Sequence, residues 1–174
     1  GGDAVREVLP ALLSNARSLV LDADALNAIA ADANLQTLLR ARTARSDRPT
    51  VMTPHPLEAA RLLGADTGHV QSDRLAAAQR LVERFGGVAV LKGSGTVIAS
   101  ALAAPRVNAT GNARLATAGT GDVLAGMVAA NLAQGYDALQ AACDAVWRHG
   151  ALADGWRGDG ALTAGALAAA LGGD

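Results

Sequence analysis

The sequence predicts an α/β fold, a doubly wound and mostly parallel sheet with helices on both faces. Three observations predict it. Short aliphatic runs alternate with stretches whose apolar residues recur at helical spacing. The aliphatic runs lead into polar or charged residues (Asp22 and Asp24, His55, Lys92, Asn108), which would gather at the strand ends where parallel sheets bind ligands. Finally, a loop rich in Gly, Asn and Thr runs straight into an apolar helix between Asn108 and Gly126. The composition agrees. Of the 174 residues 51% are hydrophobic but only 2% aromatic, so close-packed helices and thin aliphatic strands are expected, in a single domain spanning 1–174.

Taken in order, Ala4–Asn15 carries Val5, Val8, Leu9, Leu12 and Leu13 at helical spacing, with Pro10 marking a kink or a restart. Ser18–Asp22 is a buried strand. Asp24 is expected to cap a helix over Ala25–Ala30, and Leu35–Arg42 is a second, basic helical piece. Pro49–Thr53 is the next strand, and the prolines on either side of His55 hold its exit extended. A helix over Leu57–Leu63 stops at Gly64. Ser72 is the expected cap of an amphipathic helix ending at Phe85, and Gly86-Gly87 leads to a third strand, Val88–Leu91. After Lys92-Gly93-Ser94-Gly95-Thr96 the chain continues extended over Val97–Ala99, as in a hairpin, and Pro105–Asn108 is a fourth short strand. Helices are expected over Asp122–Gln134, from Asp137 to about Ala153, and over Leu162–Leu171, with a turn at Gly158–Gly160. Trp147 and His149 read as core or helix-end residues.

The chemistry centres on Gly119-Thr120-Gly121-Asp122. Glycines let the backbone approach a ligand closely, and the first amides of a helix lack internal partners, so Gly119, Thr120 and Gly121 form an anion site. Asp122 reads either as a first-turn acid that completes the helix start or as a base. As a base it would take a proton from a hydroxyl that attacks phosphorus beside the anion site. No lysine follows these glycines as in a P-loop, and no dinucleotide fingerprint is present. Lys92 before Gly93 reads as a phosphate-side loop or a solvated hairpin, and His55 as a ligand contact or a loop histidine. Net charge is −1 without a basic stripe or polybasic segment, which argues against nucleic acid and membrane partners. A lone Cys143 in an apolar helical pattern reads as a buried thiol. With no signal peptide visible, a cytoplasmic protein is expected.

Four collinear motifs carry a family resemblance: Leu-Asp-Ala-Asp-Ala-Leu-Asn (21–27), Thr-Pro-His-Pro-Leu-Glu (53–58), Leu-Lys-Gly-Ser-Gly-Thr (91–96), and Asn-Ala-Thr-Gly-Asn through Gly-Thr-Gly-Asp-Val-Leu-Ala-Gly (108–126). With Trp-Arg-His-Gly-Ala (147–151) and Leu-Thr-Ala (162–164), the chain resembles the ADP/ATP-dependent NAD(P)H-hydrate dehydratases, a branch of the ribokinase-like superfamily. The resemblance implies a ribokinase-like fold and a repair reaction, in which hydrated NADH or NADPH is dehydrated at the expense of ADP or ATP. It implies Asp122 as the catalytic base and a substrate contact, with His55 also on the substrate. Lys92, Gly93, Ser94, Gly95, Thr96 and Gly121 would hold the nucleotide, and Gly119–Gly121 the transferred phosphoryl group. Mg2+ bridging the phosphates, with no direct protein ligand, is the implied cofactor. A homo-oligomer and an epimerase domain fused upstream are the implied associations.

The sequence departs from the family at Leu57, where Gly is usual, and at Ala113-Arg114-Leu115, which replaces Pro-Gly-Met. Gly1-Gly2-Asp3 resembles the tail of a glycine-rich segment, so the domain is expected to be N-terminally incomplete. The competing readings are a small-molecule kinase of the same superfamily and a non-catalytic nucleotide-binding fragment.

Overall fold

The computed structural model describes residues 2–158 and 160–172. Gly1, where the glycine-rich tail was expected to begin, and Asp159, within the expected turn Gly158–Gly160, lie outside the described residues. Helix α1 (Gly2–Asn15) runs unbroken through Pro10 and is followed by strand β1 (Leu19–Leu21). Helices α2 (Ala23–Ala31) and α3 (Ala33–Thr43) lead to β2 (Thr50–Met52). Next come α4 (Pro56–Leu63), a short α5 (Thr67–Ser72) that periodicity had not suggested, and α6 (Arg74–Phe85). β3 (Val88–Leu91), β4 (Val97–Ser100) and β5 (Ala103–Val107) follow in quick succession. A 3-10 turn (Ala113–Leu115) precedes α7 (Thr120–Ala133), α8 (Ala138–Asp154) and α9 (Ala164–Ala170).

The five strands lie in sequence order in one mixed sheet. β1, β2 and β3 are parallel, with Leu21 opposite Met52 and Met52 opposite Ala89. The helical crossovers between them are long enough to carry the chain back to the same edge. Only Lys92–Thr96 separates β3 from β4, which is too short for a crossover, so β4 returns antiparallel with Leu91 opposite Val97. β5 is also antiparallel, and its register slips between Ile98 and Ser100.

Helices cover both faces, and side-chain alternation along the strands assigns each residue to one of them. Leu21, Met52, Ala89, Leu91 and Ala99 join α1–α6 in one core, which includes Leu26, Leu39, Leu81 and Phe85. Val51, Val88, Val90 and Ile98 face the opposite way, onto Leu124, Val128 and Leu132 of α7 and Ala142 and Val146 of α8. The two faces are filled by different means. α2–α6 arise from the crossovers between β1 and β3, whereas α7 and α8 reach the far face only after the chain leaves β5.

Helix starts correct two expectations. Asp22, not Asp24, caps α2, because its carboxylate already meets the Ala23 amide at 2.9 Å as the strand ends. Asp73, not Ser72, caps α6, and Ser72 is spent as the last residue of α5. Arg42 is 3% exposed yet charged. It donates to Thr50 Oγ1 at 2.8 Å and to the carbonyls of Leu13, Ala16 and Arg17, so one guanidinium ties α1, α3 and β2 together. No described helix is long and apolar enough to cross a membrane.

Candidate active site

The carboxyl ends of β1, β2 and β3 meet at one edge, and hydrogen bonds lock them in step. The Thr53 amide donates to Leu21 O at 3.0 Å, and the Lys92 amide to Pro54 O at 2.9 Å. Lys92 Nζ reaches back to Asp22 Oδ1 at 2.8 Å, both side chains being largely buried. A Cβ placed on Gly121 would lie 3.5 Å from Lys92 Nζ, an ordinary contact, so the ammonium stands over the start of α7. Next to Asp22, Ala23 holds φ 47, a left-handed conformation that an L side chain adopts at some cost in strain. The sequence had placed Asp22 at this edge, but not in contact with Lys92.

Gly119 begins α7 with φ 85, a conformation suited to glycine, and no side chain caps the helix. The Thr120 amide is bonded to Thr117 O at 3.3 Å, and its hydroxyl to the carbonyls of Leu115 and Thr117. Thr120, expected in the anion hole with Gly119 and Gly121, thus has its amide engaged within the turn. At the start of α7 the amides of Gly119, Gly121 and Asp122 have no intrachain acceptor among the described residues. Thr120 instead braces the turn from below, buried at 5% exposure. Asp122 is exposed in the first turn, pointing away from the core.

A cavity of about 400 Å³ opens beside this helix start. The whole Lys92–Thr96 loop and Gly121, the residues expected to hold the nucleotide, line it. Asn108, Thr110–Ala113, Leu115, Ala116, Thr120, Leu124, Val146, His149 and Gly150 complete the wall. Asp122 and Gly119 sit outside it at the mouth of α7. His55 does not line it either. Its Nδ1 accepts from the Leu57 amide at 3.1 Å and from the Glu58 amide at 3.4 Å, while Glu58 bonds back to the His55 amide. His55 is therefore a capping-box residue of α4, and its ring remains 46% exposed at the β2 end. Leu57, the departure from the family pattern, supplies one of the amides that this ring caps. Arg114 is exposed and lies outside the cavity wall between Ala113 and Leu115.

Two further groups stand beside the site: His149, expected as a core or helix-end residue, and Arg74, which sequence reasoning missed. His149, 7% exposed, bonds the Thr120 carbonyl through Nε2 at 2.9 Å, and since a carbonyl only accepts, Nε2 carries the proton. Burial lowers its pKa from the ordinary 6.5, partly offset by that bond, and this favours the neutral ring. Its neighbour Gly150 lets the Thr110–Asn112 loop pack directly on α8, where Thr110 Oγ1 donates to Trp147 O at 2.9 Å. Asp154 accepts from the Gly111 amide at 2.7 Å and from Asn112 Nδ2 at 2.9 Å. Only the run His-Gly at a helix end hinted at this packing. Trp147, in contrast, is 60% exposed rather than in the core. Cys143 is half-buried, with Arg106 Nη1 at 3.3 Å from its sulfur.

The second group is Arg74, the first residue of α6. Its Nη2 donates to the carbonyls of Leu91 at 3.0 Å and Lys92 at 3.2 Å, and its Nη1 to that of Ser94. Its Nε is buried without a partner. Leaving a buried donor unpaired costs about 1–3 kcal/mol, which the three carbonyl bonds offset. No three His, Cys, Asp or Glu side chains cluster as a metal cage among the described residues.

The sequence profile of the NAD(P)H-hydrate dehydratase family matches residues 2–171. An ADP-dependent (S)-NAD(P)H-hydrate dehydratase of Neisseria meningitidis is 47% identical over 152 residues, which cover 87% of this chain and 50% of the relative. A bifunctional NAD(P)H-hydrate repair enzyme of Escherichia coli is 46% identical over 138 residues, covering 79% of this chain and 25% of its own length. The chain thus spans half or less of these curated relatives. Among solved structures, the ADP/ATP-dependent NAD(P)H-hydrate dehydratase of Bacillus subtilis, co-crystallised with ATP/Mg2+, superposes with a TM-score of 0.78 at 31% identity. That superposition covers 97% of this chain and 58% of the other.

Proposed function

Because this chain belongs to the NAD(P)H-hydrate dehydratase family, we propose that it dehydrates the hydrated nicotinamide ring of NADH or NADPH at the expense of ADP or ATP. The observation that carries the reading is the uncapped start of α7. There the amides of Gly119, Gly121 and Asp122 have no partner among the described residues, the ammonium of Lys92 stands over Gly121, and the carboxylate of Asp122 is exposed in the same turn. The nucleotide occupies the cavity between the Lys92–Thr96 loop and the Asn108–Asn112 loop, with its terminal phosphoryl group at the amides. The hydrated ring approaches from the open side, towards His55, whose exposed edge remains available to it.

Asp122 takes the proton from the ring hydroxyl as its oxygen bonds the terminal phosphorus. The bond to the nucleotide's bridging oxygen breaks, and AMP (from ADP) or ADP (from ATP) leaves. The amides hold the charge spread over the transferred group. The carbon–oxygen bond of the phosphorylated ring then breaks. Phosphate departs with the electron pair, the adjacent carbon gives up a proton, and the double bond returns. A Mg2+ ion bound with the nucleotide would neutralise phosphate charge, and Asp122 is the carboxylate of this chain nearest the start of α7 that could face it through water. A cytoplasmic setting and assembly as a homo-oligomer, with an epimerase domain upstream as in the bifunctional relatives, belong to the same proposal.

The test is to incubate the protein with hydrated NADH and ADP and follow the reduced nicotinamide absorbance. NADH, AMP and phosphate should appear in equal amounts. A stable phosphorylated alcohol without phosphate release would identify a kinase instead. ADP binding without turnover of any hydroxyl substrate would leave only a nucleotide-binding module.

A further inference from the structure

The Lys92–Thr96 loop has a partner behind it that the reaction does not use. Three carbonyls, those of Leu91, Lys92 and Ser94, converge on the single guanidinium of Arg74. A trans peptide unit points its amide opposite to its carbonyl. Carbonyls of Lys92 and Ser94 turned towards Arg74 therefore turn the amides of Gly93 and Gly95 the other way. Neither amide has an acceptor among the described residues, and both glycines line the cavity. The loop holds this shape at φ 141 for Gly93 and φ 64 for Gly95. A Cβ on Gly93 would meet Arg74 Nη2 at 2.9 Å, so the glycine also lets the guanidinium close in. Asp73 fixes the clamp from the other side, capping α6 through the Ala76 amide at 2.9 Å and so setting where its first residue stands.

We propose that Arg74 is a positioning residue: it pulls the loop carbonyls to one side so that the Gly93 and Gly95 amides face an anionic group of the bound nucleotide. The proposal rests on the nucleotide reading of the cavity. A guanidinium is required because its planar fork reaches several acceptors at once, which an ammonium on a flexible stem does not do in fixed geometry.

Calorimetric titration with ADP on the wild-type protein, Arg74→Met and Arg74→Lys tests it. ADP affinity should fall at least tenfold in Arg74→Met and by less in Arg74→Lys, and the lysine variant decides the matter if the methionine variant does not fold. In turnover assays KM for ADP should rise by a similar factor, with kcat at saturating ADP within about threefold of wild type. A merely structural role would instead lower the active fraction, and so kcat, at unchanged KM. The amide resonances of Gly93 and Gly95 should shift on ADP addition in the wild type only. Equal ADP affinity in wild type and a folded variant overturns the clamp. Failure of the wild type itself to bind ADP overturns the nucleotide reading and this proposal with it.

Discussion

Asp122 stands in the first turn of α7 and His149, on α8, bonds the Thr120 carbonyl of that turn, but the two differ in what surrounds them. Asp122 is exposed in the first turn of α7, beside amides that no side chain caps. If it is the base, Asp122→Asn keeps the shape and loses the proton acceptor, so kcat should fall about 10²–10⁴-fold with thermal stability preserved. Activity of the asparagine variant at the wild-type rate would remove Asp122 from the mechanism. His149 is buried under the Thr120 carbonyl, and desolvation lowers its pKa below the ordinary 6.5. The sign follows from the two states. Above about pH 6.5 the ring is neutral whether the chain is folded or not. As the pH falls below that, the unfolded chain gains a proton that the folded state resists, so stability drops until the folded pKa is reached. His149→Gln keeps a side-chain donor and does not titrate. Its melting temperature should therefore fall less than that of the wild type between pH 7 and pH 5, as scanning calorimetry can measure.

Among the elements, the loops around the cavity matter more than the helices behind them. The Asn108–Asn112 loop lies on α8 at Gly150, and a Cβ there would stand 2.6 Å from the Thr110 carbonyl carbon and 2.8 Å from Gly111 N. These are backbone atoms, so relief requires the loop to move. Gly150→Ala should destabilise the fold by about 1–3 kcal/mol in urea titration and weaken ADP binding, because the displaced loop forms one wall of the cavity. At the strand ends, the Lys92–Asp22 contact joins β3 to β1 across β2. Asp22→Asn should leave Lys92 free to swing, and ADP affinity should change more in that variant than melting temperature does. Equal and large losses of both would make Asp22 only a cap of α2.

For the molecule as a whole, the sheet is a partition between two cores that are filled from different parts of the chain. Arg42 anchors the first of them, joining the end of α1 to α3 and β2 through four hydrogen bonds. Arg42→Met retains the volume but removes the donor to the Leu13 and Arg17 carbonyls and to Thr50, and should cost about 3–5 kcal/mol in denaturant unfolding. The candidate active site sits where the two halves meet. The strand ends come from the first, α7 and α8 from the second, and the Lys92–Gly121 approach is their junction.

The local signals legible in the sequence were those with short-range causes. Aliphatic runs bounded by turns fixed three parallel strands, a five-residue gap after Leu91 forced a hairpin, and glycines before Asp122 marked an open helix start. Caps were less legible, because Asp22 and Asp24, or Ser72 and Asp73, compete at neighbouring positions and only the end of the preceding element decides between them. Tertiary structure alone decided that Arg74 of α6 grips the loop carbonyls from behind and that His149 of α8 bonds the Thr120 carbonyl. Both depend on a carbonyl that lies far away in the chain and is brought near by the fold. Patterns of residue type record which side chains are buried, but not the directions in which the backbone turns its polar groups.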